Sequence, residues 1–346
     1  MRVGLFGAGR IGAFHAQTLA EHPDVHALLI ADTDVATARA LAEQVGGETV
    51  DASALTGAGL DAVVIAATTS AHVDLITACL DANLPTFCEK PIALGLDETR
   101  AVVERAESSG ATVQIGFQRR FDAGYQEAKR RIDTGALGTI YSLRLASHDP
   151  DPPHDAYIPT SGGIYRDLHI HDFDVLLWLT GGVAHEVYAR GSVRGFPAFE
   201  QHGDVDTSAA LVTMTDGVLA VLTGGRHDPL GYDIRTEVFG SKDSISVGLD
   251  ARTPLHSVEP GASFPAGPGY PGFTVRFADA YRAEIAVFLD VARGRAENPC
   301  PPRVALEALR LAAAADTSLR EHRPVRTAEI RPAAGQGQVI RTPAEQ

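Results

Sequence analysis

Val3-Gly4-Leu5-Phe6-Gly7-Ala8-Gly9-Arg10-Ile11-Gly12, close to the start of this 346-residue chain, decides how its first third folds. The first four residues are a short apolar run with strand character. The last six match G-x-G-x-x-G, at the point where a helix-period stretch (residues 11–21) begins. The glycine pattern alone is a weak signal, but its setting strengthens it. A second apolar run, residues 26–31, ends at Asp32, twenty residues past Gly12. In such a unit the glycines let the backbone approach a pyrophosphate, and the helix amino terminus stabilises its charge. Gly7, Gly9, Arg10, Ile11 and Gly12 are therefore the expected pyrophosphate loop. Asp32 would accept hydrogen bonds from the adenosine ribose hydroxyls and repel a 2′-phosphate. Thr33 and Asp34 follow it with no arginine to hold such a phosphate, which favours NAD over NADP.

Outward from this motif, β-rich runs at 62–66, 86–88 and 112–116 alternate with helix-period stretches at 35–45, 72–82 and 96–109. That alternation predicts βαβ units and a doubly wound parallel sheet, a Rossmann domain over residues 1–122. Thr68-Thr69-Ser70-Ala71-His72 follows one of the strands, and its small residues and hydroxyls suit a segment lying against the dinucleotide. Thr68, Thr69, Ser70 and His72 join the cofactor candidates, although His72 reads equally well as a first-turn residue of its helix. After about Asp122 the pattern changes. A helix at 125–134 and a strand at 139–147 precede an acidic, proline-rich loop at 148–159 and a helix at 165–180. Runs at 209–215, 218–223 and 234–239 have β character with turns between them. A Gly/Pro-rich stretch at 255–272 leads to helices at 278–293 and 304–322. The expectation is an α+β domain over 123–330 with an open, mostly antiparallel sheet, and a loosely ordered tail at 331–346.

Composition narrows the function classes. A formal charge of −14, with no basic run carrying interleaved aromatics, argues against a nucleic-acid partner. Arg119-Arg120 reads as a site edge and Lys129-Arg130-Arg131 as a solvated helix face. No apolar stretch approaches the length of a membrane span, and the chain opens on a strand with no signal-peptide pattern before it. Cys79, Cys88 and Cys300 are odd in number and widely spaced, which fits a reducing cytoplasm.

Two distant segments carry the chemistry. Lys90 is one of three lysines in the chain and lies in Cys88-Glu89-Lys90-Pro91 at the end of a strand, where ligands of doubly wound folds bind. The following proline disfavours helical dihedrals at Lys90 and allows a cis bond. The second segment is Gly162-Gly163-Ile164-Tyr165-Arg166-Asp167-Leu168-His169-Ile170-His171-Asp172. Asp167 and His171 are four apart, so on a continuous helix they share a face and can hydrogen-bond. An ammonium, a carboxylate and an imidazole are the parts of a proton-transfer site. His169 and His171 point about 200° apart on a helix, which argues against a metal pair. Asp174 could line the pocket, whereas Asp172 reads as a surface carboxylate.

Gly7–Gly12, Glu89-Lys90-Pro91, the segment Gly116-Phe117-Gln118-Arg119-Arg120-Phe121-Asp122, and Gly162-Gly163 with Asp167 and His171 together resemble the Gfo/Idh/MocA oxidoreductase family, over nearly the whole chain. Within it the chain is most similar to the inositol 2-dehydrogenase branch. The more specific segments are Asp149-Pro150, Tyr157-Ile158, Gly203-Asp204-Val205-Asp206-Thr207 and Gly231-Tyr232-Asp233-Ile234-Arg235. The resemblance implies Lys90, Asp167 and His171 as catalytic residues and Glu89 with Lys90 beside the cofactor. It implies NAD as hydride acceptor, a polyol substrate oxidised as myo-inositol is to scyllo-inosose, and a homotetramer built through the open sheet of the second domain. Two departures stand out. Thr223-Gly224-Gly225-Arg226-His227-Asp228 replaces a stretch often rich in Asn, Ser and Arg, and Val304 stands where relatives often carry Asp.

On this reading a neutral His171 takes the hydroxyl proton, Lys90 donates to the same oxygen, and Asp167 holds both in register. Arg119, Asp149, Asp174 and Tyr232 are candidates to bind the remaining hydroxyls. Another inositol isomer or a pyranose sugar is the competing substrate. A non-catalytic NAD-binding regulator on the same fold would be expected to lose Lys90 or His171, and both are present.

Overall fold

The computed structural model describes residues 1–262, 265 and 267–330. Its first sheet contains β1 (Arg2–Phe6), β2 (Ala27–Ala31), β3 (Glu48–Thr49), β4 (Ala62–Ile65), β5 (Thr86–Glu89) and β6 (Val113–Gly116). They pair in parallel in the order β3-β2-β1-β4-β5-β6, the order of a doubly wound dinucleotide fold. The strands are nearly continuous runs of Val, Ile, Leu and Ala because helices cover both faces. Those helices are α1 (Arg10–Glu21), α2 (Val35–Val45), α3 (Thr69–Asp81) and α4 (Leu96–Ser109). The Asp34 carboxylate caps α2 by accepting from the backbone of Ala36 and Thr37.

The chain then passes through α5 (Ala123–Asp133) and β7 (Ile140–His148) to α6 (Ile158–Ser161), α7 (Ile164–Asp167) and α8 (Ile170–Thr180). Next come β8 (Ala184–Ser192), α9 (Ala198–Gln201), β9 (Thr207–Met214), β10 (Leu219–Gly225), β11 (Asp233–Gly240) and β12 (Ser244–Val247). The described chain closes with α10 (Phe273–Arg276), α11 (Ala278–Ala292), α12 (Pro302–Glu321) and β13 (Val325–Arg326). The second sheet has the order β12-β11-β7-β10-β9-β8-β13 and is antiparallel except for the central β7–β10 pair. Both classes of sheet expected from the sequence are present. The last helices also serve the first sheet, since Ile285, Phe288 and Leu289 of α11 pack into the core formed by Val3, Leu5 and Phe87.

One face of the second sheet packs on helices and the other is open. Across the open face a row of paired positions runs Arg144, Val221, Leu211, Tyr188. Its three apolar members are exposed, Leu211 by 43% and Val221 by 44%, while their alternating neighbours Ala210, Ala220, Val212 and Leu222 are buried.

Three expectations need correction. The segment after β4 is not a free loop, because α3 begins at Thr69 with Thr68 as its N-cap. The helix expected over 165–180 is two helices. The His169 amide reaches back five residues to the Ile164 carbonyl (3.1 Å), which widens the turn and separates α7 from α8. The short edge strands β3, β12 and β13 went unforeseen, since two to four residues carry too little periodicity. The expected tail at 331–346, and part of the loop at 255–272, lie outside the described residues. No helix among the described residues is long and apolar enough to cross a membrane.

Gly224 in β10 meets His169 so closely that a β-carbon there would lie 2.4 Å from the ring Nε2 and 2.7 Å from Cε1. That contact explains one glycine of the Thr223–Asp228 departure. Gly224→Ala should destabilise the protein by about 1–3 kcal/mol through overpacking. Urea unfolding would read this as a lower midpoint at unchanged slope, and an unchanged midpoint would refute the contact.

Candidate active site

The carboxyl end of the first sheet is built for a dinucleotide. Gly7 turns with φ +98°, and a β-carbon on Gly12 would sit 2.0 Å from the Gly7 carbonyl oxygen, so the loop closes only with glycine at both positions. Nothing lies within 4 Å of a β-carbon built on Gly9, the N-cap of α1. The helix has no side-chain cap and no acid in its first turn, which leaves its amides open to an anion. Arg10 lies over the Phe273 ring at 4.7 Å, and Ile11 packs part-buried against the core. Asp32, at the end of β2, accepts from the Ala8 amide (2.6 Å) with one oxygen and from the Asp34 amide (2.9 Å) with the other. These residues fit NAD: a glycine cradle at a helix amino terminus, and a carboxylate beside it that accepts from two backbone amides. Thr68 and Ser70 hydroxyls lie 3.3 Å apart at the start of α3, with Thr69 between them. His72 is buried in the first turns of that helix. Its ring nitrogens lie 2.8 Å from the Pro91 carbonyl and 3.1 Å from that of Ala67, so it ties this segment to the residue after Lys90.

Lys90 leaves the end of β5 through a cis Lys90–Pro91 bond. Glu89 before it turns the other way, to His15 Nε2 in α1 at 2.6 Å. The Lys90 ammonium donates to the backbone carbonyl of Asp167 (2.8 Å) and lies farther, 3.4 Å, from its carboxylate Oδ1. Asp167 accepts shorter bonds from the Tyr157 hydroxyl (2.9 Å) and from Arg226 Nη1 (2.9 Å). Arg226 Nη1 also reaches Asp149 Oδ2 at 3.4 Å. Burial opposes ionisation of Asp167, but Lys90 and Arg226 outweigh it and hold the carboxyl below its ordinary value. At Asp149 burial wins over Arg226, and the carboxyl is pushed up.

The structure brings His171 to the same cluster in a manner the sequence did not foretell. The predicted Asp167–His171 hydrogen bond is not made, because the break between α7 and α8 rotates them apart and the carboxylate is committed to Arg226 and Tyr157. Among the described residues His171 Nδ1 has no hydrogen-bond partner, and the ring stands edge-on to Phe117 at 6.0 Å. Burial, then the charges of Lys90 and Arg119, push the His171 pKa well below 6.5, so the imidazole is neutral. A neutral base close to an ammonium is the arrangement proton abstraction from an alcohol needs.

Arg119 and Asp174 are not free side chains at the pocket edge. Arg119 is buried, donating to Asp172 Oδ1 (2.5 Å) and Ser147 (3.2 Å). Asp174 takes a guanidinium fork from Arg120, with its closest contact at 2.6 Å. Asp172, expected at the surface, is fully buried, and its second oxygen lies 2.7 Å from His169 Nδ1. His169 Nε2 in turn lies 2.8 Å from the Ser208 hydroxyl. Breaking such a buried pair from one side costs about 3–5 kcal/mol, so this chain forms a rigid floor under His171. Tyr232 is buried, its ring edge-on to Phe277 at 6.4 Å. Arg226 and Tyr157 are the residues that sequence reasoning did not assign, although the departure at 223–228 was visible. A separate cavity of about 410 Å³ between α8 and α12, lined by Trp178, Val183, Val304 and Leu311, holds none of the three catalytic candidates.

Comparison with known proteins shows the family and the fold. Residues 1–117 match the oxidoreductase family with an NAD-binding Rossmann fold, and residues 125–246 match the Gfo/Idh/MocA C-terminal domain. The chain is 40% identical over 322 residues to the myo-inositol dehydrogenase Hyg17 of Streptomyces leeuwenhoekii, covering 92% of this chain and 97% of that protein. It superposes on the crystal structure of a myo-inositol dehydrogenase from Corynebacterium glutamicum with TM-score 0.86 at 34% identity, over 96% and 99% of the two chains. A scyllo-inositol dehydrogenase from Lactobacillus casei, solved with NAD(H) and scyllo-inositol, gives TM-score 0.84 at 27% identity over 95% and 99%. The chain belongs to the Gfo/Idh/MocA family and is an NAD-dependent oxidoreductase.

Replacing Asp32 by Ala should weaken NAD binding by about 10–100-fold, the worth of hydrogen bonds to a charged group, and narrow the preference over NADP. Fluorescence titration with both dinucleotides tests this, and an unchanged NAD affinity would show that Asp32 serves only the Ala8 turn.

Proposed function

We propose that this enzyme oxidises one secondary hydroxyl of a cyclic polyol, with conversion of myo-inositol to scyllo-inosose as its reaction. The observation that carries the proposal is the Lys90 ammonium at the end of β5, held against Asp167, with the half-buried His171 imidazole within its electrostatic reach and favoured in its neutral form by burial and that charge. His171 takes the hydroxyl proton. Lys90 donates to the same oxygen and stabilises its developing negative charge. Bound NAD supplies the hydride acceptor. Asp167 holds Lys90 from the side through its own backbone carbonyl. Asp149 and Tyr232 are the assigned partners for the remaining ring hydroxyls, with Arg119 and Asp174 fixing the floor beneath them. Relatives named for myo-inositol and for scyllo-inositol support an inositol as substrate. The Gly224-Gly225-Arg226 departure is where an isomer preference would be set.

We also assign the enzyme a homotetrameric, cytoplasmic state. The exposed apolar row on the second sheet supports association, and three free, buried cysteines support a reducing compartment.

Lys90→Met and His171→Ala should each lower turnover by about 10²–10⁴-fold while NAD still binds. NADH formation from a panel of myo-, scyllo- and chiro-inositol and glucose reads both the rate and the substrate. Near-normal turnover in either variant, or glucose as the best substrate, would overturn this reading. Leu211→Glu should shift the protein toward smaller species in light scattering at unchanged helix content, and an unaltered tetramer would exclude the open face as the interface.

A further inference from the structure

Arg226 is an arginine buried to 98%, on the short connection after β10. Its backbone is fixed from two sides: its amide donates to the Asp206 carbonyl (2.8 Å), and the Asp149 amide donates to the carbonyl of the preceding Gly225 (2.9 Å). Its Nη1 serves both Asp167 and Asp149, while Nε and Nη2 are buried with no partner among the described residues. A buried guanidinium with two nitrogens unpaired is costly, and an apolar residue of similar volume would pack there at lower cost. Its charge, therefore, is what the site uses.

The bond lengths indicate how. Charge-assisted N–H···O bonds run about 2.7–2.9 Å, and Arg226 makes one with Asp167 Oδ2. Lys90 stands 3.4 Å from the other oxygen and is held instead by a neutral backbone carbonyl at 2.8 Å. With Arg226 absent, Lys90 would be the one cation in contact with Asp167, and the pair would close. We propose that Arg226 is a positioning residue that holds the Asp167 carboxylate away from Lys90, leaving the Lys90 ammonium free to serve the substrate oxygen. This inference rests on the polyol-oxidation reading for the role of Lys90, but the geometry it invokes does not require any particular substrate.

The groups that bear on it come from every element around the cluster. Asp167 faces Lys90 from the end of β5, Arg226 from the end of β10, and the Tyr157 hydroxyl from the loop before α6. Asp149, after β7, faces Arg226, Asp167 and Lys90, and Tyr232 and Tyr157 lie near it. Arg226 also feels Asp204, and His171 feels Lys90 and Arg119. Arginine stays charged at every working pH, so its influence is constant. Both carboxyls are stabilised in their ionised form by Arg226, and removing it raises the pH at which each takes up a proton.

The test uses wild type, Arg226→Met and Arg226→Lys. Turnover against pH is measured with the wild type's best polyol, and the Asp149 and Asp167 carboxyls are titrated by ¹³C NMR without substrate. In R226M kcat should fall by at least about tenfold with KM changed less, and the acid limb and both titrations should move up by about one pH unit or more. R226K, which keeps the charge, should recover kcat to within about tenfold of wild type and should fold even if R226M does not. Unmoved carboxyl titrations in folded R226M, or an R226K enzyme as impaired as H171A with NAD affinity intact, would overturn the proposal. A wild type that turns over no polyol would sink the substrate reading while the NMR titrations still decide the role of Arg226.

Discussion

Buried charge must be paired, and in this site the pairs are arranged so that the histidine receives none of the anions. Asp172 is committed to Arg119 and His169, Asp174 to Arg120, and Asp167 to Arg226, Tyr157 and Lys90. What His171 feels, beyond burial, is cationic: Lys90 and Arg119. Its depressed pKa follows first from burial and then from these two cations, with no carboxylate opposing them. Asp167 bonded to the imidazole would have raised the pKa and made His171 a reluctant proton donor in the reverse direction.

The fold supplies this distribution through strand direction. In the second sheet only β7 and β10 run parallel, so the residues that follow them, Asp149 and Arg226, emerge side by side at one edge. Lys90 leaves the first sheet at the end of β5, and α7 delivers Asp167 between the two edges. An antiparallel β7–β10 pair would send the two residues to opposite edges, and the carboxylate of Asp167 would have no second cation. The parallel pair within an otherwise antiparallel sheet is thus tied to the chemistry as well as to the topology.

Much of the architecture was legible because it is periodic. The glycine fingerprint, the alternating strands and helices of the first sheet, and the change of pattern near Asp122 each follow from side-chain spacing, and most longer elements fell within a few positions of their bounds, although β8 went unforeseen and α7 and α8 were expected as one helix. The glycine turn after β1 and the meeting of Lys90 with Asp167 were legible too, since strand ends and a Gly-Gly turn mark them. Their connections were not. Spacing of four implied an Asp167–His171 bond, and the bulged turn at His169 removed it. Arg119, Asp172 and Asp174 read as pocket or surface residues because partners far along the chain, such as Ser147 for Arg119 and Arg120 for Asp174, leave no local trace. Arg226 announced itself only as a departure.

The same pairing rule accounts for an acid that lacks a partner. Glu284, on α11, is fully buried with neither carboxylate oxygen hydrogen-bonded among the described residues. Burial, and after it the charges of Glu89 and Asp174, push its carboxyl well above its ordinary value and favour its neutral form. In its neutral form it fills space against the first sheet without disturbing the balance of cations and carboxylates. Burial favours the neutral form at both places, the imidazole of His171 and the acid of Glu284.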